Sequence, residues 1–179
     1  MNHHDMTRNM VLAALFAALT AIGAFLQIPT GTVPITLQFL FTALAGLLLG
    51  WKWGAISQLL YVGIGLLGLP VFTQGGGIGY VLQPSFGFLL GLIPAAAVIG
   101  ALTARRTGYL TVLAAVLVGD LILYAVGVPY MYLILHVYMQ SAKTFPALLA
   151  AMLVYVPGDT LKIIVVTALA PVLRRTLVK

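Results

Sequence analysis

The chain has 179 residues, of which 62% are hydrophobic and 7% charged, with nine Lys and Arg against three acids, all Asp. Soluble domains carry about 25% charged residues, so this composition excludes an ordinary water-soluble domain and belongs to a polytopic membrane protein. The absence of Cys excludes disulfides and thiolate metal sites.

Taken in chain order, the polar start "MNHHDMTRNM" runs straight into an apolar segment with no small-residue cleavage site after a short core, so no removed signal peptide is read there. The first helix is expected over about Arg8–Ile28, ending at "IPTGTVP". A second covers Ile35–Gly50, with "WKW" as the turn after it, and a third covers Gly54–Leu69, closed by Pro70. A Gly-rich loop, "TQGGGIGYVLQ", follows. The fourth helix runs from Pro84 to Ala104 and the fifth from Tyr109 to Val126, with a break at "GVP". Residues 130–142 read as a partly helical, aromatic connection. The last helix covers Phe145–Leu173 with a break near "VPGD". The expectation is an all-α integral membrane protein, a six-helix transmembrane bundle forming one substrate-binding domain over residues 1–179.

The charges fix an orientation. No charged residue occurs from Asn9 to Trp51, nor from Trp53 to Ala104. A span needs roughly 20 apolar residues, so each of these runs must fold back on itself. Six spans put Arg8, Lys52, Arg105, Arg106, Arg174, Arg175 and Lys179 on one side and Lys143 on the other. That bias places both termini in the cytoplasm. It also accounts for most of the net charge of +6, which therefore speaks of topology and not of nucleic acid. Trp51 and Trp53 flank Lys52 as an interfacial belt would. The irregular segments then collect on the outer face. Irregular backbone at membrane depth is tolerated where it is buried or lines a cavity, so a site open to the outside is expected.

Candidate chemistry concentrates in "VPGDTLKIIVV". Asp159 and Lys162 share a helix face, and a lone intramembrane charge costs at least about 2.5–3.5 kcal/mol. A mutual pair lowers that cost, either as a structural lock or as a donor and acceptor for a polar ligand. Pro157 and Gly158 leave amide N–H groups free nearby. Asp120 lacks a matched partner in sequence and fits a structural role, paired with a basic residue of a neighbouring helix or with a partner protein. After the glycines, Gln83 and Ser85 stand at a helix mouth and can hydrogen-bond a ligand, though the loop also reads as a plain connector. Ala13, Ala17 and Ala21 form a small-residue strip, suited to packing within the bundle or to docking a second membrane subunit. The literal G-x-G-x-x-G at Gly63–Gly68 lacks a strand-to-helix context and an acid about 20 residues on, so it reads as helix packing. No phosphate loop is present, and His3, His4 and His136 have no metal-ligand spacing. No catalytic set stands out, so an enzyme is disfavoured.

The motifs "VPITLQ", "LAGLLLG", "GLLGLPVF", "QPSFGFLLG" and "PGDTLK" occur in that order over most of the chain. Together they resemble the BioY family, the biotin-binding membrane components of energy-coupling-factor vitamin transporters. Ser85-Phe86 stands where that family usually has Thr-Gly, and Phe88 where it usually has Tyr. The resemblance implies a prokaryotic multi-pass cell-membrane protein with an outward-facing vitamin pocket, a transmembrane coupling subunit and two ATPases as partners, and no cofactor. It maps the family's acid and lysine onto Asp159 and Lys162, puts Gln38, Tyr80, Gln83 and Ser85 at the ligand, and makes the Ala13, Ala17 and Ala21 strip the docking surface. Biotin suits such a site. A carboxylate such as Asp159 accepts ureido N–H bonds, and an ammonium such as Lys162 donates to a carbonyl or a carboxylate. The competing classes are an S component for another vitamin and a self-contained secondary transporter. The latter often shows repeats and a longer chain.

Overall fold

The computed structural model describes residues 3–30, 33–105 and 108–177. Arg106 and Lys179 of the charge count, Gly31 and Thr32 of the first break, and the side chains of His3, His4 and Arg175 lie outside that description.

Helix α1 is His3–Phe25, followed by a small antiparallel hairpin, β1 (Gln27–Ile28) and β2 (Ile35–Thr36). Helix α2 covers Gln38–Leu66, α3 Phe86–Leu102 and α4 Tyr109–Leu133. A short α5 (Phe145–Ala151) leads through a 3-10 turn, Met152–Tyr155, into α6 (Val156–Leu177). Among the described residues, four stretches are long and apolar enough to cross a membrane: Asp5–Phe25, Gln38–Leu66, Tyr109–Tyr138 and Phe145–Arg174. Phe86–Leu102 is a shorter apolar helix. The protein is mostly helical and spans the membrane more than once.

Helix α2 is two arms. Gly50 has φ 77° and ψ 178°, a conformation essentially reserved to glycine, and the chain reverses there. Eight residues along an unbroken helix rise about 12 Å. Yet a Cβ on Gly54 would lie 2.8 Å from the Cα of Gly46, so the arms run back to back. Gln58 ties them together inside the bundle. Thr42 donates to its Oε1 at 2.9 Å, and its Nε2 donates to Ser57 at 3.0 Å and to Thr20 of α1 at 3.3 Å. Lipid gives helices no hydrophobic reason to associate, so such bonds and close glycine packing hold the bundle. On the α3–α4 seam, Gly91 receives Leu123, Gly119 receives Ile99, and Gly127 receives Phe88.

Several boundaries differ from expectation. The reversal falls at Gly50, one residue before "WKW", and those three residues are already helical. The fifth helix does not stop at "GVP" but runs through Pro129 and widens into a π-helical turn at Ile134–Tyr138. In hydrocarbon a broken helix leaves polar backbone with nothing to bond, so losing one bond at proline is cheaper than stopping. The last break lies at Met152–Tyr155, ahead of "VPGD". Pro157 and Gly158 instead form the first turn of α6, where proline's missing N–H would be unused anyway. Of the glycines Gly63–Gly68, only Gly65 packs closely, on the ring of Phe72; a Cβ on Gly63 would meet nothing within 4 Å and Gly68 serves a turn at φ 109°.

The strip Ala13, Ala17 and Ala21 is not an outer surface. Ala13 and Ala17 are buried, and Ala21 packs against the same core. It faces the rest of the bundle because α1 packs mainly on α2, while Ala14 and Ala18 beside it are exposed.

Candidate functional site

The irregular segments meet at one end of the bundle and bind one another. Gln27 donates to the carbonyl of Thr73 at 3.3 Å, and Tyr130 to that of Val81 at 2.6 Å. The Tyr155 hydroxyl donates to the Val33 carbonyl and lies 3.1 Å from the Thr30 hydroxyl. Beneath this lattice lies a cavity enclosing about 620 Å³ including its open mouth. Its walls come from the hairpin's Val33–Thr36, the start of α2 (Gln38, Phe39), the loop and α3 (Thr73, Tyr80, Ser85, Phe88, Leu89, Leu92), α4 (Leu123, Tyr124), and Met152, Tyr155, Asp159 and Lys162.

One wall is ionic. Lys162 Nζ lies 2.6 Å from Asp159 Oδ1, both side chains about 9% exposed. Asp159 sits in the first turn of α6, where the helix dipole favours an anion. Its second oxygen accepts from the Tyr124 hydroxyl of α4, and Lys162 also donates to the carbonyl of Thr36 at 3.2 Å. The pair thus links α6 to α4 and to the hairpin.

A second part of the lining is polar without charge. Gln38 Nε2 donates to the Tyr61 hydroxyl at 2.7 Å, which donates onward to the carbonyl of Val71 at 3.1 Å. The Tyr80 hydroxyl lies 2.9 Å from that of Thr73 and 3.4 Å from that of Ser85. Aromatic rings in edge and tilted contact, Tyr61 to Phe72 to Tyr80 to Phe86 to Tyr130, back this wall. Phe88 meets Tyr124 edge-on at 6.0 Å. The cavity therefore offers an apolar and aromatic lining with a few converging polar groups, the usual make-up of a small-molecule site.

Of the residues the sequence nominated, Asp159, Lys162, Gln38, Tyr80 and Ser85 converge on the cavity. Gln83 does not. It follows the 3-10 turn Ile78–Leu82 in extended conformation and is not among the lining residues, because Pro84 and the start of α3 turn Ser85 inward instead. Sequence reasoning missed Tyr124, Tyr155, Thr36, Thr73 and Phe88. Tyr124 had one usable signal, since it lies one helical turn after Asp120 and so shares its face. Asp120 itself has a buried Oδ1 with no hydrogen-bond partner. Among the described residues, no group of His, Asp and Glu is placed to hold a metal ion.

Fold and site together define a membrane-embedded small-ligand binding protein, a helical bundle with its pocket at the end where the irregular segments gather. A model of the BioY family matches residues 1–179, and the chain belongs to that family. A protein of Lysinibacillus sphaericus described as a probable biotin transporter BioY is 54% identical over 141 residues, 78% of this chain and 72% of the relative. The biotin transporter BioY of Thermotoga maritima is 35% identical over 91% of this chain and 94% of its own. The crystal structure of an S component for biotin from an ECF-type ABC transporter superposes with a TM-score of 0.86 at 30% identity, covering 98% of this chain and 95% of that one. These relatives are described as transporters or a transporter component.

Proposed function

We propose that this chain is the biotin-binding S component of an energy-coupling-factor transporter in the cell membrane of a prokaryote. Its ligand is biotin, taken from outside, with no cofactor and no chemistry of its own. Its partners are a transmembrane coupling subunit and two ATPases. The observation that carries the reading is the Asp159–Lys162 pair in the wall of an apolar, aromatic cavity. Burying two charges there is costly, and a bicyclic ureido ligand with a carboxylate tail uses both. Asp159, Lys162, Gln38, Tyr80 and Ser85 are the proposed contacts. Tyr124 joins them through its bond to Asp159.

The two arms of α2, with α1, α3, α4 and α6, support six crossings in a single domain, with both termini on the cytoplasmic side. The basic residues support that orientation, and it opens the cavity outward. The burial of Ala13 and Ala17, with Ala21 packed on the same core, supports a packing role within the bundle for this strip over docking.

The test is calorimetric titration of biotin into the purified chain in detergent, without coupling subunits. Saturable one-to-one binding is expected. Saturable binding of another vitamin with none of biotin would overturn the ligand assignment.

A further inference from the structure

This inference rests on the reading of the cavity as a biotin site, and it concerns where the ligand lands first. The irregular segments at the cavity end are poor in charge. Residues 26–37 and 67–85 contain no Asp, Glu, Lys or Arg. Between Arg106 and Lys162 the chain has one Lys or Arg, Lys143. The backbone sets its place. After the π-helical turn Ile134–Tyr138, Gln140 adopts φ 50°, a left-handed conformation that costs a non-glycine residue energy. The amide of Ser141 then donates to the carbonyl of Leu135 at 2.8 Å, closing the turn that leads into α5. Lys143 is exposed, and among the described residues its side chain has neither a hydrogen bond nor an ion pair.

Lys143 borders a recess of about 730 Å³, counted with its open side, between the hairpin loop, α4 and α5. Apart from Lys143 and the hydroxyls of Thr30 and Tyr155, the side chains lining it are apolar. The recess adjoins the cavity, since Met152 and Tyr155 line both. The Tyr155 hydroxyl stands on the boundary. It donates to the carbonyl of Val33, on the cavity side, and lies 3.1 Å from the hydroxyl of Thr30, on the recess side. An apolar hollow with a cation at its rim suits the same chemistry as the cavity, an apolar body bearing a carboxylate. The two cations differ in their commitments. Lys162 is buried and already bonded to Asp159 and to the carbonyl of Thr36, whereas Lys143 is wet and uncommitted. An exposed charge adds little standing affinity, but a charge at the rim of a site changes the rate of encounter.

We infer that the recess is an outer capture site for biotin, with Lys143 holding its carboxylate before the ligand passes into the adjoining cavity. Lys143 then speeds association and leaves dissociation from the cavity alone, because the ligand in its final place no longer touches it. Charge carries the effect, so salt screens it. The apolar recess holds the body of the ligand, so filling it slows entry whether or not the ligand is charged.

The experiment times association and dissociation of radiolabelled biotin, and of its neutral amide, by rapid filtration on the purified full chain in an uncharged detergent. Salt runs from about 0.01 to 1 M, over which the screening length falls from about 30 to 3 Å. Lys143→Met is expected to slow biotin association about fivefold at low salt, the effect of one unit charge at contact distance in water. Dissociation should not change, and the salt dependence of association should flatten. The amide should associate equally fast with parent and variant, and Lys143→Arg should restore the parent's rate for biotin. Lys52→Met removes an exposed charge at the other end of the α2 arms and should change nothing. Ala147→Trp fills the recess from an exposed position and should slow biotin and the amide alike. Unchanged biotin association in Lys143→Met, or equal slowing of biotin and the amide there, overturns the inference. So does faster dissociation in that variant, which would put Lys143 at the final site, and so does an unchanged rate in Ala147→Trp. Should Ala147→Trp not fold, the Lys143 variants decide. If neither compound binds the parent, the biotin reading fails first and takes the inference with it.

Discussion

Asp159 has two donors and one cavity to serve, so its replacement separates a ligand contact from a lock between helices. A hydrogen bond to a charged group contributes roughly 1.5–3 kcal/mol, and Asp159→Asn is expected to weaken biotin binding about tenfold or more. Lys162→Met should weaken it as well. Titration of each folded variant gives the answer, and unchanged affinity in both would return the pair to the role of tying α6 to α4 and the hairpin. Gln83 supplies the control. Since it does not line the cavity, Gln83→Ala is expected to leave affinity within about twofold, well under 1.4 kcal/mol. A large loss there would show that the wall rearranges around the ligand.

At the scale of elements, the bundle depends on side chains that are small or absent. Ala17 faces the core of α1 against α2, so Ala17→Leu overpacks a closed seam, at a cost of about 1–3 kcal/mol. A lower melting temperature and weaker biotin binding should appear together. A variant that melts normally and binds normally, but no longer assembles with a coupling subunit, would instead restore the strip to the docking surface. Gly50 fails for a different reason. Nothing lies within 4 Å of a Cβ placed there, so Gly50→Ala tests backbone conformation alone. Its φ of 77° costs any other residue about 1–3 kcal/mol, and the melting temperature should fall without any steric clash to explain it.

For the whole molecule the testable property is sidedness. The natural chain has no Cys, so single cysteines report cleanly. A cysteine in place of the exposed Gln74, in the loop before α3, should react with an impermeant reagent added outside intact cells. One in place of Gly108, just before α4, should react only after the membrane is opened. Labelling of the Gly108 variant from outside would invert the proposed orientation. Gly76 is a poor choice, because a side chain there runs into the carbonyl of Leu69.

The sequence by itself determined that the chain is a multi-pass membrane bundle, because composition and charge-free length leave no other way to satisfy the backbone. It also marked the ionic pair, since Asp159 and Lys162 stand out wherever their neighbours are apolar. Motif order carried the family resemblance. Helix ends were less legible: proline signals a stop in water, but in hydrocarbon α4 runs on through Pro129. Only the tertiary structure decided which face of each helix looks inward. A small-residue strip reads alike whether its partner is the same chain or another, and only the fold shows that Ala17 is covered by a seam of its own chain. Gln83 and Ser85 are two residues apart, and the turn into α3 brought only Ser85 to the cavity. Tyr124 reaches Asp159 across 35 positions of sequence, a contact that no local pattern encodes because the packing of α4 on α6 creates it.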